Sequence, residues 1–347
     1  MKIHYLSLLI KKIIKDCNKL KKTEMNYHFI INLLIILNLK IEKILFDKKN
    51  INGNPLIIAA EYLRSFYIQI LDLKKLNDFD SMKKINVKKL AMEYGHKKLF
   101  QKLWVNYTDK QYIFDRVQRY IHRIKINNLT KLLKNKKIID FGCGHGNFLI
   151  AAKKMGARYC YGIDYGKESI KFANKVKKKL KISNIKFEVA NIYHVRNAKS
   201  NFFDFAIQNG VFHHLEKEFL GYKELHRTLK PGGYMWIYTD GGNGIRDLIS
   251  DMSQKILSSI NQDFVIGKIR QIGLVNGKEY HLGDNLKAKY RHTTFNKITN
   301  LLKKIGFKNF IKLRGGFKTD FDKPFYKDKY FSEKFGSGDL RILCQKK

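Results

Sequence analysis

"IIDFGCGHGNF", residues 138–148, decides how this chain is read. An apolar run ends in an acid, and three glycines follow at alternate positions, Gly142, Gly144 and Gly146. After a buried strand, such a turn lets the backbone pass close to a ligand, because glycine has no Cβ and takes dihedral angles that other residues avoid. The dinucleotide fingerprint G-x-G-x-x-G wants its third glycine at 147, where this chain has Asn147. Asp140, two residues before the first glycine, would be repelled by a pyrophosphate and attracted by an ammonium group. The loop therefore suits a cationic nucleoside better than a dinucleotide.

Further along, Asp164 ends the next apolar run, "YCYGID", at a spacing where a carboxylate accepts both hydroxyls of a ribose. From about Lys136 short apolar runs alternate with helical stretches: "KKIIDFG", a helix from Phe148, "YCYGIDY", a helix from Ser169, "IKFEVAN", "FDFAIQNG", a helix with "KELHRTL", and "GGYMWIYTD". This alternation predicts an α/β fold, a parallel sheet with helices on both faces. After Asp240 it lapses. "GIRDLISDMSQKILSSINQDFVIGKIRQIG" reads as helix and "VNGKEYHLGDNLKAKYRHTT" as loop, before a helix at "TFNKITNLLKKIGF" and strands at "KNFIKLRG" and "GDLRILCQK". An insertion there falls at the carboxyl edge of the sheet, the place for a substrate lid.

Residues 1 to about 105 read as helices, with breaks at "DKKNINGNP" (47–55) and around 77–86. The expected division is a helical N-terminal region over 1–105 and a second domain over 106–347, with a mainly helical insertion at about 243–290. In the first segment Leu6, Leu9, Ile10, Ile13, Ile14 and Cys17 fall on one helical face, and Lys11, Lys12, Lys15 and Lys19 on the other. That pattern fits packing on the protein body, or a basic helix on a membrane surface. No cleavage site follows it, so a secretion signal is not expected. "FIINLLIILNL" (29–39) stops well short of the roughly 20 apolar residues that cross a bilayer and reads as a buried helix.

Lys and Arg total 69 against 30 Asp and Glu, a formal charge of +39. Only 12 of the 69 are Arg, and the lysines are scattered among plentiful Ile and Asn. A solvated lysine surface and an anionic partner, such as RNA or an acidic membrane, both remain open. Cys17, Cys143, Cys160 and Cys344 form neither a CxxC nor a zinc spacing, which points to a reduced, cytoplasmic setting. His281, Asp284 and His292 match no ligand motif, and no metal is expected.

Taken together these residues resemble the class I S-adenosylmethionine-dependent methyltransferases. "IIDFGCGHG" is similar to their first motif, "GID" (162–164) to their ribose-binding acid, "FDFAIQNGVFHHL" (203–215) to their fourth strand and its loop, and "LKPGGYMWI" (229–237) to the turn into the fifth. The resemblance is close over about 110–240 and looser beyond, where "TTFNKITNLLKKIGF" is similar to the helix before their sixth strand. It implies a Rossmann-like, mostly parallel seven-stranded sheet, S-adenosyl-L-methionine as cofactor, and methyl transfer as the activity. It also implies that Asp140, Phe141, Gly142, Cys143, Gly144 and Gly146 lie along the methionine part, with Asp140 near its amino group. By the same resemblance Asp164 holds the ribose, Tyr165 lies against the adenine, Asn191 and Ile192 reach the adenine edge, and Gln208 and Asn209 lie beside the sulfonium. The family often has an acid where this chain has Asn191, whose carbonyl still accepts a hydrogen bond.

Displacement at a sulfonium chiefly needs an acceptor placed in line, and proximity and orientation contribute about 7–11 kcal/mol. A base is needed only for a protonated acceptor. His213 and His214 are the candidates, since imidazole titrates near neutral pH; packing or capping of the next helix is the alternative. "QNGVFHH" lacks the Pro-Pro run common in enzymes that methylate planar nitrogens. A small-molecule or sugar-like acceptor leads, with Tyr112, Arg116, Arg119, Tyr280 and Arg291 as candidate lining residues. RNA, a non-catalytic cofactor-binding module and lipid chemistry at a membrane are the alternatives.

Overall fold

The computed structural model describes residues 3–77, 111–274, 277–288, 290–323 and 325–347. The break expected at 77–86, beyond its first residue, and the boundary expected at 105–106 lie outside the described residues. The chain divides into two compact units, Met1–Leu99 with Gly242–Lys289 and Tyr326–Gly338, and Phe100–Gly241 with Tyr290–Phe325 and Asp339–Lys347.

The second unit holds the sheet. Its strands are β1 (Lys137–Phe141), β2 (Tyr159–Asp164), β3 (Ile185–Val189), β4 (Phe203–Asn209), β5 (Leu229–Asp240), β6 (Phe307–Lys312) and β7 (Asp339–Lys346). They lie in the order β3-β2-β1-β4-β5-β7-β6. The pairs β1/β2, β1/β4, β2/β3 and β4/β5 are parallel, and β7 runs antiparallel to both β5 and β6. This is the expected mostly parallel seven-stranded sheet. Because side chains alternate along a strand, each strand feeds two cores. Ile138, Phe205, Ile207 and Trp236 pack on one face with Phe148, Leu149 and Ala173 from the helices Asn147–Lys154 and Lys167–Lys179. Ile139, Phe141, Ala206 and Ile237 pack on the other with Tyr222, Leu225, Ile298 and Leu302. The chain winds outward in opposite directions from β1 and β4, which makes the carboxyl ends of β1, β2 and β4 a topological switch point, where open α/β sheets bind ligands.

The first unit is helical: α1 (Ile3–Cys17), α2 (Glu24–Phe46) and α3 (Pro55–Asn77) with helices Ile245–Ile256, Gln262–Gln271, Gly277–Lys287 and Phe331–Phe335. The inward residues of α1 are Leu6, Ile10, Ile13 and Cys17, on the face the periodicity predicts. α2 contains the 29–39 run, which buries Ile30, Ile31, Leu33, Leu34, Ile35 and Leu37 but leaves Phe29 and Ile36 exposed, and the Asn38 side chain donates to Leu34 O (2.8 Å) and Ser253 Oγ (3.1 Å). No described helix is long and apolar enough to cross a membrane.

One expectation fails here. Part of the 275–294 stretch is the helix Gly277–Lys287, although it reads as loop. Leu282 and Leu286, one turn apart, are buried, and Lys287 Nζ donates to Leu257 O and Ile260 O. Packing within the unit thus overrides a weak local propensity.

Candidate cofactor site

At the carboxyl end of β1 the backbone N–H groups of Gly142 and Cys143 donate to Ile163 O of β2, at 2.8 and 2.9 Å. The chain then turns through three glycines with positive φ: Gly142 (80°), Gly144 (51°) and Gly146 (77°). They are not equivalent. A Cβ at Gly142 would meet Val211 Cγ2 at 2.5 Å, and one at Gly146 would meet Phe187 Cζ at 2.4 Å. At Gly144 a Cβ would meet nothing within 4 Å among the described residues. Two glycines press the loop onto the protein, and the middle one borders open space.

Asp164, at the end of β2, faces this loop. Its Oδ2 accepts from Gly144 N (2.8 Å) and its Oδ1 from Gly166 N (2.7 Å). Tyr165 beside it is 57% exposed. Asp140 is 2% exposed, and its Oδ1 has no hydrogen-bond partner among the described residues. Burial, and then the charge of Asp164, push the Asp140 carboxyl well above the usual range. Burial also raises the Cys143 thiol, and holds His145 down at about 4 with help from Arg116.

Asn191 lies after β3, where its Oδ1 accepts from Tyr193 N (2.9 Å) and closes a turn; Ile192 is buried in one sheet core. Gln208 and Asn209 project to opposite faces of β4. Gln208 donates to Tyr222 OH (3.0 Å) and accepts from Gly210 N (3.0 Å), which fixes the turn after the strand. Asn209 accepts from Trp236 Nε1 and donates to Tyr120 OH, both at 3.1 Å. The structure thus gathers Asp140, Phe141, the glycine loop, Asp164 and Tyr165 at the joined ends of β1 and β2, with Asn209 at the end of β4. Gln208 turns its amide to the other face.

His213 and His214 are both buried in the short turn Phe212–His214. Their Nε2 atoms lie 2.8 Å apart. His213 Nδ1 accepts from Asp240 N (3.2 Å), so its proton sits on Nε2 and points at His214 Nε2. Tyr290 packs against both rings, with centroids 5.3 and 4.7 Å away. In this arrangement the pair is a hydrogen-bonded unit: opening the bond between the rings frees the lone pair of His214 Nε2, while that of His213 stays on Nδ1 against Asp240 N.

Of the candidate lining residues, Tyr112 is buried and donates to His145 O (2.6 Å), bracing the glycine loop from outside. Arg119 donates to Thr319 Oγ1 (2.8 Å) and stacks over Phe317. Arg291 N donates to His213 O (2.8 Å), and the side chain of Tyr280 lies outside the described residues. Sequence reasoning missed Val211, Phe187, Tyr120 and Trp236, which shape the loop and hold Asn209. Nothing in their local sequence marks them, because each acts across strands.

A glycine turn set between two acids thus lies at the switch point of this Rossmann-like sheet, where open α/β sheets bind ligands. Residues 132–280 match a family model described as "Methyltransferase domain". That stretch is similar to methyltransferase domains, in keeping with the resemblance of its motifs to the class I S-adenosylmethionine-dependent methyltransferases. Among curated proteins the chain is 32% identical over 122 residues to a ubiquinone biosynthesis O-methyltransferase of Pelagibacter ubique, covering 35% of this chain and 49% of that one. It is 30% identical over 126 residues to human EEF1A lysine methyltransferase 2, covering 32% and 53%. The chain thus spans about half the length of these curated relatives. Among solved structures, a SAM-dependent methyltransferase from Aquifex aeolicus aligns at 14% identity over 75% of this chain and 100% of that one, with a TM-score of 0.41.

Proposed function

We propose that the whole chain is an S-adenosylmethionine-dependent methyltransferase acting on a small-molecule or sugar-like acceptor. The observation that carries the cofactor site is the pairing of open space at Gly144 with the unmet Oδ1 of buried Asp140. A ligand with an ammonium group beside a nucleoside fits both. In this reading Asp140 faces the amino group, and Phe141, Gly142, Cys143, Gly144 and Gly146 line the methionine part. Asp164 takes the ribose hydroxyls, since each carboxylate oxygen accepts a second hydrogen bond beyond its backbone N–H. Tyr165 covers the adenine, with Asn191 and Ile192 at its edge, and Asn209 lies nearest the reacting end with Gln208 supporting its turn.

Bound there, S-adenosylmethionine supplies an electrophilic methyl group on a neutral leaving group. The chain's own contribution is to hold the acceptor in line and exclude water. His213 and His214 are the proposed proton-accepting pair where the acceptor is protonated, with His214 Nε2 the lone pair freed when their mutual hydrogen bond opens. The two curated relatives are named for unlike roles, O-methylation in ubiquinone biosynthesis and methylation of an EEF1A lysine, so neither selects the acceptor here. The acceptor is found by fractionating extract and following label from the cofactor methyl. Transfer to RNA or protein, with none to small molecules, refutes the proposed class.

RNA is the second reading, favoured by the charge of +39. Membrane contact through α1 has less support, since the helix turns Leu6, Ile10, Ile13 and Cys17 inward. Four unbridged, buried cysteines suit a reducing compartment, and the cytoplasm is the proposed location.

A further inference from the structure

The two carboxyls flanking the glycine loop differ. Asp164 has backbone N–H groups on both oxygens, whereas Asp140 is nine-tenths or more buried with Oδ1 unmet among the described residues. Among the described residues the titratable groups around Asp140 give it no counter-charge. From β2, Asp164 repels it, and Cys160 is a neutral thiol, pushed up to about 12 by burial. In the loop Cys143 is likewise a neutral thiol, and His145 is uncharged at neutral pH. On the other side, β4 meets Asp140 at Ile207, which cannot titrate. A carboxylate held this way, out of water and without a cation, takes up a proton instead.

We infer that Asp140 is a neutral acid in the ligand-free protein and becomes a carboxylate only as the ammonium group of an S-adenosyl ligand docks, so that ligand binding and proton release are one event. This rests on the cofactor reading above. The balance is simple: the Asp140 carboxyl and the ligand ammonium form an ion pair, and one proton leaves to solvent. The incoming cation also offsets the repulsion from Asp164. Asp140 thereby determines specificity, admitting nucleosides that bring a cation and gaining nothing from those that lack one. Affinity rises with pH, tenfold per unit wherever a whole proton is released.

Calorimetry on the full chain with S-adenosylhomocysteine, at pH 6.5 in phosphate and in imidazole, tests this. The ligand's amino group is charged at that pH, and the two buffers differ in ionisation heat. The expected result is release of close to one proton per ligand bound. None is expected with 5′-methylthioadenosine, which lacks the amino acid part, and none with Asp140→Asn, which binds more weakly. If wild-type protein binds S-adenosylhomocysteine with no buffer-dependent heat, Asp140 does not lose a proton on binding; the inference is overturned and the cofactor reading stands. If 5′-methylthioadenosine releases the same proton, the inference is likewise overturned. If S-adenosylhomocysteine does not bind, both fall. The wild-type measurement decides alone should the variant not fold.

Discussion

Gly142, Gly144 and Gly146 each become Ala in one decisive experiment. All three have positive φ, which costs an alanine about 1–2 kcal/mol. At Gly146 the new methyl also lands 2.4 Å from the Phe187 ring, and at Gly142 2.5 Å from Val211. Forcing a methyl into packed surroundings adds about 1–3 kcal/mol. Gly142→Ala and Gly146→Ala should therefore lose about 2–5 kcal/mol, a large part of a typical domain's stability. Gly144→Ala meets no atom of the described residues within 4 Å and should lose only about 1–2 kcal/mol, all of it from φ. Binding should rank differently, because the methyl at 144 enters the space given to the ligand. A loss of at least tenfold in S-adenosylhomocysteine affinity, about 1.4 kcal/mol, is expected there. Urea unfolding measures the first quantity and calorimetry the second. If Gly144→Ala unfolds as readily as Gly146→Ala, or binds the ligand as tightly as wild type, the middle glycine does not border the ligand site.

Other expectations follow from the same geometry. Asp164→Ala should lose most cofactor affinity and leave the sheet folded, although it frees the N–H groups of Gly144 and Gly166; unchanged binding by calorimetry refutes the ribose assignment. In the buried cluster of Asp320, Asp322 and Asp339 with Arg341 and Arg123, three acids face two guanidinium groups. Burial, outweighing Arg341 and aided by Asp339 and Asp320, pushes Asp322 up to about 6. A raised carboxyl binds its proton more tightly when folded, so this stability is full below about pH 4 and is lost as pH rises through 6, by about 3 kcal/mol at most. Asp322→Asn should flatten that slope in unfolding midpoints taken between pH 4 and 7.5, and an unchanged slope counts against the shift. If RNA is the substrate, affinity should fall steeply between 50 and 200 mM salt; salt-insensitive binding, or none, removes that reading.

Much of the sheet is legible in the residues alone, because each strand from β1 to β5 is a short apolar run set off by helical spacing. Asp140 and Asp164 stand out for the same local reason: a charge at the end of an apolar run has to be explained. What stays hidden is non-local. The sequence around Gly146 does not reveal that Phe187, on β3, is the side chain that requires a glycine there. Gln208 and Asn209 are adjacent letters, yet the strand's alternation sends one amide to Tyr222 and the other to Tyr120 and Trp236. Gly277–Lys287 is polar enough to read as loop, and only Leu282 and Leu286 betray its buried side. Likewise nothing local announces that Tyr326–Gly338 returns to the helical unit, where Lys334 Nζ reaches Asp47 O, Asn50 Oδ1 and Asp328 Oδ2.

That late return governs how the polypeptide emerges from the ribosome. Domains ordinarily fold in order of synthesis, the N-terminal one first. Here α1, α2 and α3 are made early, yet their partners around Ile245–Ile256 and Phe331–Phe335 arrive only after five strands of the sheet have been translated. β7, the strand that joins β5 to β6, is the last to appear. Neither unit has its full complement of residues until Tyr326–Gly338 and β7 have been translated, and a nascent chain halted before residue 326 leaves both with gaps.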